Sequence, residues 1–383
     1  MIKISVITVS YNAERTIEKA IKSIIHQKTD EIEYIVIDGG STDGTVDIIK
    51  EYDEFITFWT SKPDNGIYDA MNKGIDRATG KYINFLNSDD WFEENVLDKV
   101  LKVIDRVDAD VFYGDVIRED GRFGTKWIPE TLERVYWWMP FGHQGSFVRR
   151  TDDLKFDVTY RIAADYKMML ELYASGKKFF YLPFTIAHFG QDGISNTNNY
   201  LMCTEQVTIS SKKMIDDPNP RIVYKDRIVD VYVRAEAMHQ IDIVGKAGVF
   251  KEYMDGVSGF RKSVICFGCG KIALGMLNCL KVLGVDIKFL VDNDREKHGL
   301  VWNDYKIMPV ESLKTEENVT IFVTMERNTD DVKRQIKGMF LSKSVDVLYY
   351  CDLINDFIMK YKDVLIAIGR KRISAFDVLC DME

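Results

Sequence analysis

From Ile2 to Leu86 strand-like apolar runs and helical apolar patterns take turns, and no other feature limits the fold of this chain so strongly. Ile2, Ile4, Val6, Ile7 and Val9 form the first run; Ile17, Ala20, Ile21, Ile24 and Ile25 then recur at helical spacing, with Asn12 in position to cap that helix. The pattern next predicts a strand over 34–37, a glycine-rich turn over 39–44, a helix over 46–52, a strand over 56–59, a helix over 67–77 and a strand over 82–86. Each strand is nearly all apolar, so both faces of the sheet must be covered. That implies an α/β fold around a parallel sheet, with ligands at the carboxyl ends of its strands. The residues to examine are the polar ones just after each strand.

The chain has 383 residues, enough for about two domains at roughly 100 to 200 residues each. From 202 to 253 the pattern is mostly helical, broken by Asp216-Asp217-Pro218-Asn219-Pro220. Strand and helix signals resume from Val264, with strands expected over 264–267, 287–291, 320–324 and 345–350 and a helix over 272–283. The expected organisation is an N-terminal domain over 1–215, a helical connector over 216–258 and a smaller domain over 259–383. Lys and Arg number 51 against 60 Asp and Glu, a net charge of −9 that makes duplex nucleic acid a poor partner. The six cysteines are scattered, MIKISVITVS lacks the features of a secretory signal, and no run approaches 18 apolar residues. A cytoplasmic protein is expected, with peripheral attachment at the inner face of the membrane left open.

Four polar clusters follow successive strands: Ser10-Tyr11-Asn12, Asp38-Gly39-Gly40-Ser41, Lys62-Pro63-Asp64-Asn65-Gly66 and Asn87-Ser88-Asp89-Asp90. Together they would face one crevice. Tyr11 can stack on a base, and Asp38 can accept from an imide N–H, which would select uracil or thymine. Asp89 and Asp90 follow a buried strand, where charge is costly unless a cation such as a divalent metal neutralises it. Alone, an Asp-Asp pair reads equally as a cap or a solvated loop.

The segments SVITVSYNAERTIEKAIKSI, YIVIDGGSTDGTVDII, SKPDNGIYDAMNKGI and GKYINFLNSDDWF, in that order, resemble the inverting family-two glycosyltransferases of GT-A fold, especially bacterial enzymes of surface-polysaccharide synthesis. The resemblance spans roughly residues 1 to 200. It implies that Thr8, Tyr11 and Asp38 lie around the nucleotide base and that Asp89 and Asp90 end an Asp-x-Asp metal motif. Ser88 stands where many members have Asp, so metal ligation would rest on Asp90, with Asp89 on the ribose or the metal. Asn72 matches the donor-side helix, where a helix-surface role is the alternative. Residues 142–150 and 162–166 resemble acceptor-side segments, and the second of these implies Asp165 as catalytic base; by spacing alone Asp165 would cap the helix over 166–173. His188 lies before Asp192-Gly193-Ile194-Ser195, which resembles a Gly-Gly-x-Ser closing loop, and is either a metal ligand or a structural histidine. His143 is expected at sugar hydroxyls. Trp138, in the aromatic run 136–141, would stack on an acceptor sugar, rest at a membrane or pack on the sheet.

In the C-terminal half Gly268, Gly270 and Gly275 open a helix after a buried strand, and Asp292 ends the next strand, a nucleotide-binding layout with an imperfect glycine spacing. This half resembles Rossmann-like modules found beside sugar-transferring enzymes. NAD or another nucleotide would be its ligand; otherwise it is a helper or homo-oligomerisation domain. Cys266 and Cys269 lack the second pair that a zinc site needs.

The expected function is an inverting glycosyltransferase that uses Mn or Mg and moves a sugar from a nucleoside diphosphate, UDP first among them, to a glycan or lipid-linked glycan. Three alternatives stand beside it. One is a binding or assembly protein with a decayed site, for which Ser88 speaks. Another is an NAD-dependent sugar oxidoreductase, which lacks a well-placed Tyr-x-x-x-Lys. The last is a nucleotidyltransferase, which lacks a basic glycine-rich opening loop.

Overall fold

The computed structural model describes residues 1–119, 125–190, 193, 198–216, 218–242, 249–257, 263–269, 271–324, 329–339 and 344–373. The chain divides into two compact units, Met1–Ile228 and Val229–Glu383. The segment expected as a connector is shared between them.

The first unit begins as the sequence alternation requires: β1 (Ile4–Ser10), α1 (Ile17–Ile25), β2 (Ile32–Asp38), α2 (Thr45–Glu51), β3 (Phe58–Ser61), α3 (Ile67–Arg77) and β4 (Tyr82–Phe85). It continues through β5 (Trp91–Phe92), α4 (Val96–Ile104), β6 (Val111–Arg118), β7 (Thr125–Trp127), β8 (Ser146–Arg149), α5 (Ala164–Ala174), β9 (Phe179–Phe189) and α6 (Asn199–Asp216) to α7 (Pro218–Asp242). The strands align in the order β3-β2-β1-β4-β8-β6-β9-β5, with β7 against β6.

The strands that the alternation covers, β3, β2, β1 and β4, are parallel as expected. Beyond them the sheet is mixed: β8 runs antiparallel to both β4 and β6, β6 and β9 are parallel, and β5 and β7 are antiparallel to their neighbours. Alternate residues of β1 face opposite cores. Ile4 and Val6 pack with α1 and α4, while Ile7 and Val9 pack with α3 and α5. Helix α3 approaches β1 so closely that a Cβ on Gly74 would stand 2.5 Å from Ile7 Cγ2. Asn12 does not cap α1. Thr16 holds the cap position, and Asn12, at φ 50°, instead accepts from the Thr42 backbone N–H at 2.9 Å and so ties the first polar loop to the second.

The second unit contains α8 (Val249–Asp255), β10 (Ser263–Phe267), α9 (Lys271–Val282), β11 (Asp286–Val291), β12 (Val301–Trp302), β13 (Tyr305–Met308), β14 (Thr320–Val323), α10 (Thr329–Lys337), β15 (Asp346–Tyr349) and α11 (Tyr350–Arg372). Its sheet runs β12-β13-β11-β10-β14-β15, parallel except for the short β12. Among the described residues no helix is long and apolar enough to cross a membrane.

Candidate active site

The polar loops of the first unit gather at the carboxyl ends of β1, β2, β3 and β4. Asp38, at the end of β2, is fully buried, and its carboxylate accepts from Ser10 Oγ at 2.9 Å, Ser41 Oγ at 2.5 Å, Ser61 Oγ at 2.6 Å and the backbone N–H groups of Gly40 and Ser41 at 3.0 and 2.8 Å. Burial pushes this carboxyl up, but the hydrogen bonds from Ser41, Ser61 and Ser10 outweigh it and hold the group below the ordinary carboxylate range. Asp38 therefore organises three strand ends, and a base N–H could reach it only by displacing a donor already there. Thr8 is likewise fully buried, with its hydroxyl 3.2 Å from that of Tyr34 inside the core facing α1; it supports the site from beneath the surface. Tyr11 is 65% exposed and keeps its ring free for stacking.

Asn72, expected on the donor side or at a helix surface, donates from its amide to the Phe156 carbonyl at 2.9 Å and accepts from the Phe156 N–H at 2.8 Å, so both ends of the amide are bonded to the backbone of one residue.

Beyond β4, Asp90 is fully buried. Its Oδ1 accepts from the Gly190 N–H at 3.0 Å, while Oδ2 has no hydrogen-bond partner among the described residues. Burial, and then the neighbouring charge of Asp89, push the Asp90 carboxyl well above its ordinary value. Any Cβ at Gly190 would collide with the Asp89 carbonyl oxygen, so the close approach of β9 to this loop depends on glycine. An orphaned carboxylate oxygen beside a second carboxylate fits a hard divalent cation that keeps waters and takes substrate phosphates as its other ligands. Among the described residues no set of three or more His, Cys, Asp and Glu side chains converges as a metal cage.

His188 does not turn to that pair. Its Nδ1 lies 2.7 Å from Glu119 and its Nε2 3.1 Å from Glu93, and its ring stacks on Trp91 at 5.0 Å between centroids, so both nitrogens already face carboxylates. Of the closing-loop segment only Gly193 is described; Asp192, Ile194 and Ser195 lie outside the described residues. A cavity of about 250 Å³ opens beside Asp89, lined by Arg15, Thr16, Lys19, Trp91, Glu119 and Gly190. Two cationic side chains, Arg15 and Lys19, thus share its wall with Asp89.

Asp165 is the second residue of α5, and the capping alternative does not describe it. The N–H groups ahead of the helix go to Glu205 of α6: Arg161 to Oε1 at 2.8 Å, Ile162 and Ala163 to Oε2 at 2.9 Å each. Asp165 itself bonds the backbone of Tyr166 and meets two other side chains. Its Oδ2 lies 3.1 Å from His143 Nδ1, and its Oδ1 lies 3.0 Å from the Tyr68 hydroxyl. Burial pushes the Asp165 carboxyl up, yet the bond to His143, assisted by that charge and by Tyr68, holds it below the ordinary range. His143 shows the reciprocal balance: burial lowers its pKa, and Asp165, then Asp90 and Asp89, raise it further, for a net upward shift. The histidine expected at sugar hydroxyls is thus bonded to the base candidate, with Asn87 Nδ2 3.5 Å from its other nitrogen. Trp138 is half-buried, and its neighbour Tyr136 packs edge-on against Tyr173 of α5.

Tyr68, Glu205, Arg15, Lys19 and Trp91 are absent from the residues singled out by sequence. Tyr68, Arg15, Lys19 and Trp91 lie inside motif segments that sequence reading does pick out, which was the available signal. Glu205 lies on α6, beyond the motif segments, and nothing local marks it.

The chain matches the model of glycosyl transferase family 2 over residues 5–167. The PGL/p-HBAD biosynthesis glycosyltransferase of Mycobacterium bovis is 30% identical over 204 residues, which cover 50% of this chain and 79% of that protein. The chain belongs to glycosyl transferase family 2. The putative teichuronic acid biosynthesis glycosyltransferase TuaG of Bacillus subtilis is similar to this glycosyltransferase at 39% identity over 136 residues, 34% of this chain and 54% of that one. Glycosyltransferase GlyA of Streptococcus pneumoniae is 28% identical over 214 residues, 55% of this chain but only 30% of the pneumococcal protein's length. Residues 260–347, in the second unit, match a separate model described as C2185-like, N-terminal.

In that unit Gly268 adopts φ 105° and donates its N–H to the Val291 carbonyl at 2.7 Å. Asp292 Oδ2 accepts from the Cys269 N–H at 3.2 Å and from Lys297 Nζ at 3.1 Å, so this acid braces the glycine turn. Gly270 lies outside the described residues, and Gly275 falls within α9. Cys266 and Cys269 are free thiols, both pushed up to about 12, first by burial. That is the reverse of the lowered pKa a reactive thiol needs.

Proposed function

We propose that this glycosyltransferase moves a sugar from a nucleoside diphosphate donor, UDP first among the candidates, to a glycan or lipid-linked glycan, with inversion, in the synthesis of a surface polysaccharide. The observation that carries the reading is the His143-bound Asp165, held in its ionised form, in the same unit as the buried Asp90 and its half-buried neighbour Asp89. The biosynthetic roles named for the Bacillus and mycobacterial relatives support the polysaccharide or glycolipid setting.

In this mechanism Tyr11 stacks on the base, and the Asp38 hub keeps the loop around it rigid. Arg15 and Lys19 offer charge to the diphosphate from the cavity wall. Asp90, with Asp89, would hold a Mn or Mg ion, which when bound supplies positive charge to the departing diphosphate. Asp165 takes the proton of the acceptor hydroxyl as its oxygen bonds to the anomeric carbon and the bond from that carbon to the diphosphate breaks on the opposite side. For the second unit we propose a Rossmann-like module: β10 stands at the centre of its parallel sheet with β11 and β14 on either side, the arrangement of nucleotide-binding sheets.

The test is calorimetric titration of UDP and GDP, each with Mn²⁺ and with EDTA, followed by nucleoside diphosphate release from UDP-glucose, UDP-galactose, UDP-N-acetylglucosamine and GDP-mannose. Metal-dependent binding of one nucleotide together with release from its sugar is expected. Binding of neither nucleotide would favour a decayed site. Thermal protection by NAD(H) probes the second unit separately, because a ligand bound only to the folded state raises the apparent melting temperature.

A further inference from the structure

Tyr68 stands at the second position of α3, the helix that follows the polar loop 62–66. Its hydroxyl meets two acceptors, the Ile162 carbonyl at 2.5 Å and Asp165 Oδ1 at 3.0 Å. A phenol has one proton to give. Burial, then the adjacent Asp165 charge, hold the Tyr68 pKa well above its ordinary value, so the hydroxyl stays protonated throughout the working pH range.

The two states of a general base place opposite demands on such a neighbour. While Asp165 is ionised, its Oδ1 needs a donor, and the Tyr68 O–H supplies one. Once Asp165 has taken a proton, an O–H pointing at it would leave the new acid proton facing another proton if that proton sits on Oδ1. Turning the phenolic proton to the Ile162 carbonyl exposes an oxygen lone pair that accepts from the protonated carboxyl. Nothing is transferred and no atom need travel; one O–H rotates between two acceptors already in place.

We propose that Tyr68 is the positioning residue of the base, and that its hydroxyl, shared between Asp165 Oδ1 and the Ile162 carbonyl, holds the carboxyl in one place before and after it accepts the acceptor proton. This rests on the reading of Asp165 as base. The surroundings suit the role. Ile162 itself cannot drift, because its N–H is held by Glu205 from α6. The Tyr68 ring is fixed by stacking on Phe156 at 5.3 Å, and Asn72, one turn further along α3, grips the Phe156 peptide. The other titratable groups near Asp165 are His143 on its Oδ2 and, beyond His143, Asp89 and Asp90; Glu205 lies behind the Ile162 turn.

Tyr68→Phe keeps the ring and its stacking and removes only the hydroxyl. With whichever of the four sugar nucleotides named above gives nucleoside diphosphate release, kcat should fall at least tenfold while KM for the donor stays within threefold. The acid limb of the pH profile should move to higher pH, since a donor to the carboxylate is gone. Asp165→Asn is measured alongside. If it abolishes release and Tyr68→Phe leaves kcat within twofold with an unmoved acid limb, the Tyr68 assignment fails and the base assignment stands. If Asp165→Asn retains normal release, both fail. An independent readout needs no donor: carboxyl ¹³C NMR of aspartate-labelled protein, with the Asp165 signal assigned by difference from Asp165→Asn. A higher Asp165 pKa in Tyr68→Phe is expected, and an unchanged one would overturn the proposal.

Discussion

His143 Nδ1 sits 3.1 Å from Asp165 Oδ2, and each residue shifts the other's titration in the direction of an ion pair. The pair explains how a carboxyl with limited access to water stays ionised. The sign of its pH dependence follows from the two shifts. Asp165, lowered, contributes stability above its unfolded pKa that is lost as pH falls through its folded pKa; His143, raised, contributes stability below its unfolded pKa that is lost as pH rises through its folded pKa. Their joint contribution is therefore greatest between about pH 4 and 6.5.

His143→Gln should accordingly lower the melting temperature more at pH 6 than at pH 8, and it should move the acid limb of turnover to higher pH. Melting curves at both pH values and a pH–rate profile check this. An equal loss at the two pH values would mean that the contact is ordinary packing.

Asp90 carries the opposite balance, a buried carboxylate with one orphaned oxygen. Asp90→Asn removes, at nearly constant volume, a carboxyl that burial and the Asp89 charge keep from ionising. The ligand-free protein should become more stable, by about 1 kcal/mol or more, since a carboxyl whose pKa is raised on folding costs stability at pH values above its unfolded pKa. Metal-dependent nucleotide binding should weaken at least tenfold. Chemical denaturation and calorimetry read the two effects separately, and a loss in both would show that Asp90 serves the fold alone.

Asn72→Ala separates a structural from a donor-binding role. Because both arms of the amide are bonded to the backbone N–H and C=O of Phe156, stability should drop by about 1–3 kcal/mol. Donor affinity should stay within threefold. A donor affinity that collapses while stability is preserved would return Asn72 to the donor site.

The local half of this architecture is legible in the chain. Strands β1, β2 and β4 are mostly apolar and read as a buried sheet, and the polar clusters at the ends of β1 to β4 follow at once. The other half is not. Strand β9 contains Pro183, which argues against a strand when read alone; the structure accommodates it by a shift in register, with Gly114 opposite Leu182 but Asp115 opposite Thr185. Side-chain roles fade with sequence separation in the same way. Asp165 stands out through its motif, but its partners His143, Tyr68 and the capping Glu205 reach it only through tertiary packing. A turn into a helix whose N–H groups are satisfied by a side chain from another helix leaves no capping signature in its own sequence.

That capping in trans gives the last prediction. Glu205 accepts three backbone N–H groups at the turn that delivers Asp165, so removing its carboxylate leaves three donors without a partner near a helix start. Glu205→Ala should cost about 1–3 kcal/mol or more of stability and reduce kcat, because the turn that sets the position of the base is loosened. Glu205→Gln keeps one acceptor oxygen and should recover part of both losses. Denaturant midpoints and turnover for the two variants decide the matter. If Glu205→Ala loses stability but keeps full kcat, the cap holds α5 without governing where Asp165 sits. The parallel decline of both quantities, with partial rescue by Gln, would tie the position of the base to a helix some forty residues further along the chain that carries no motif of its own.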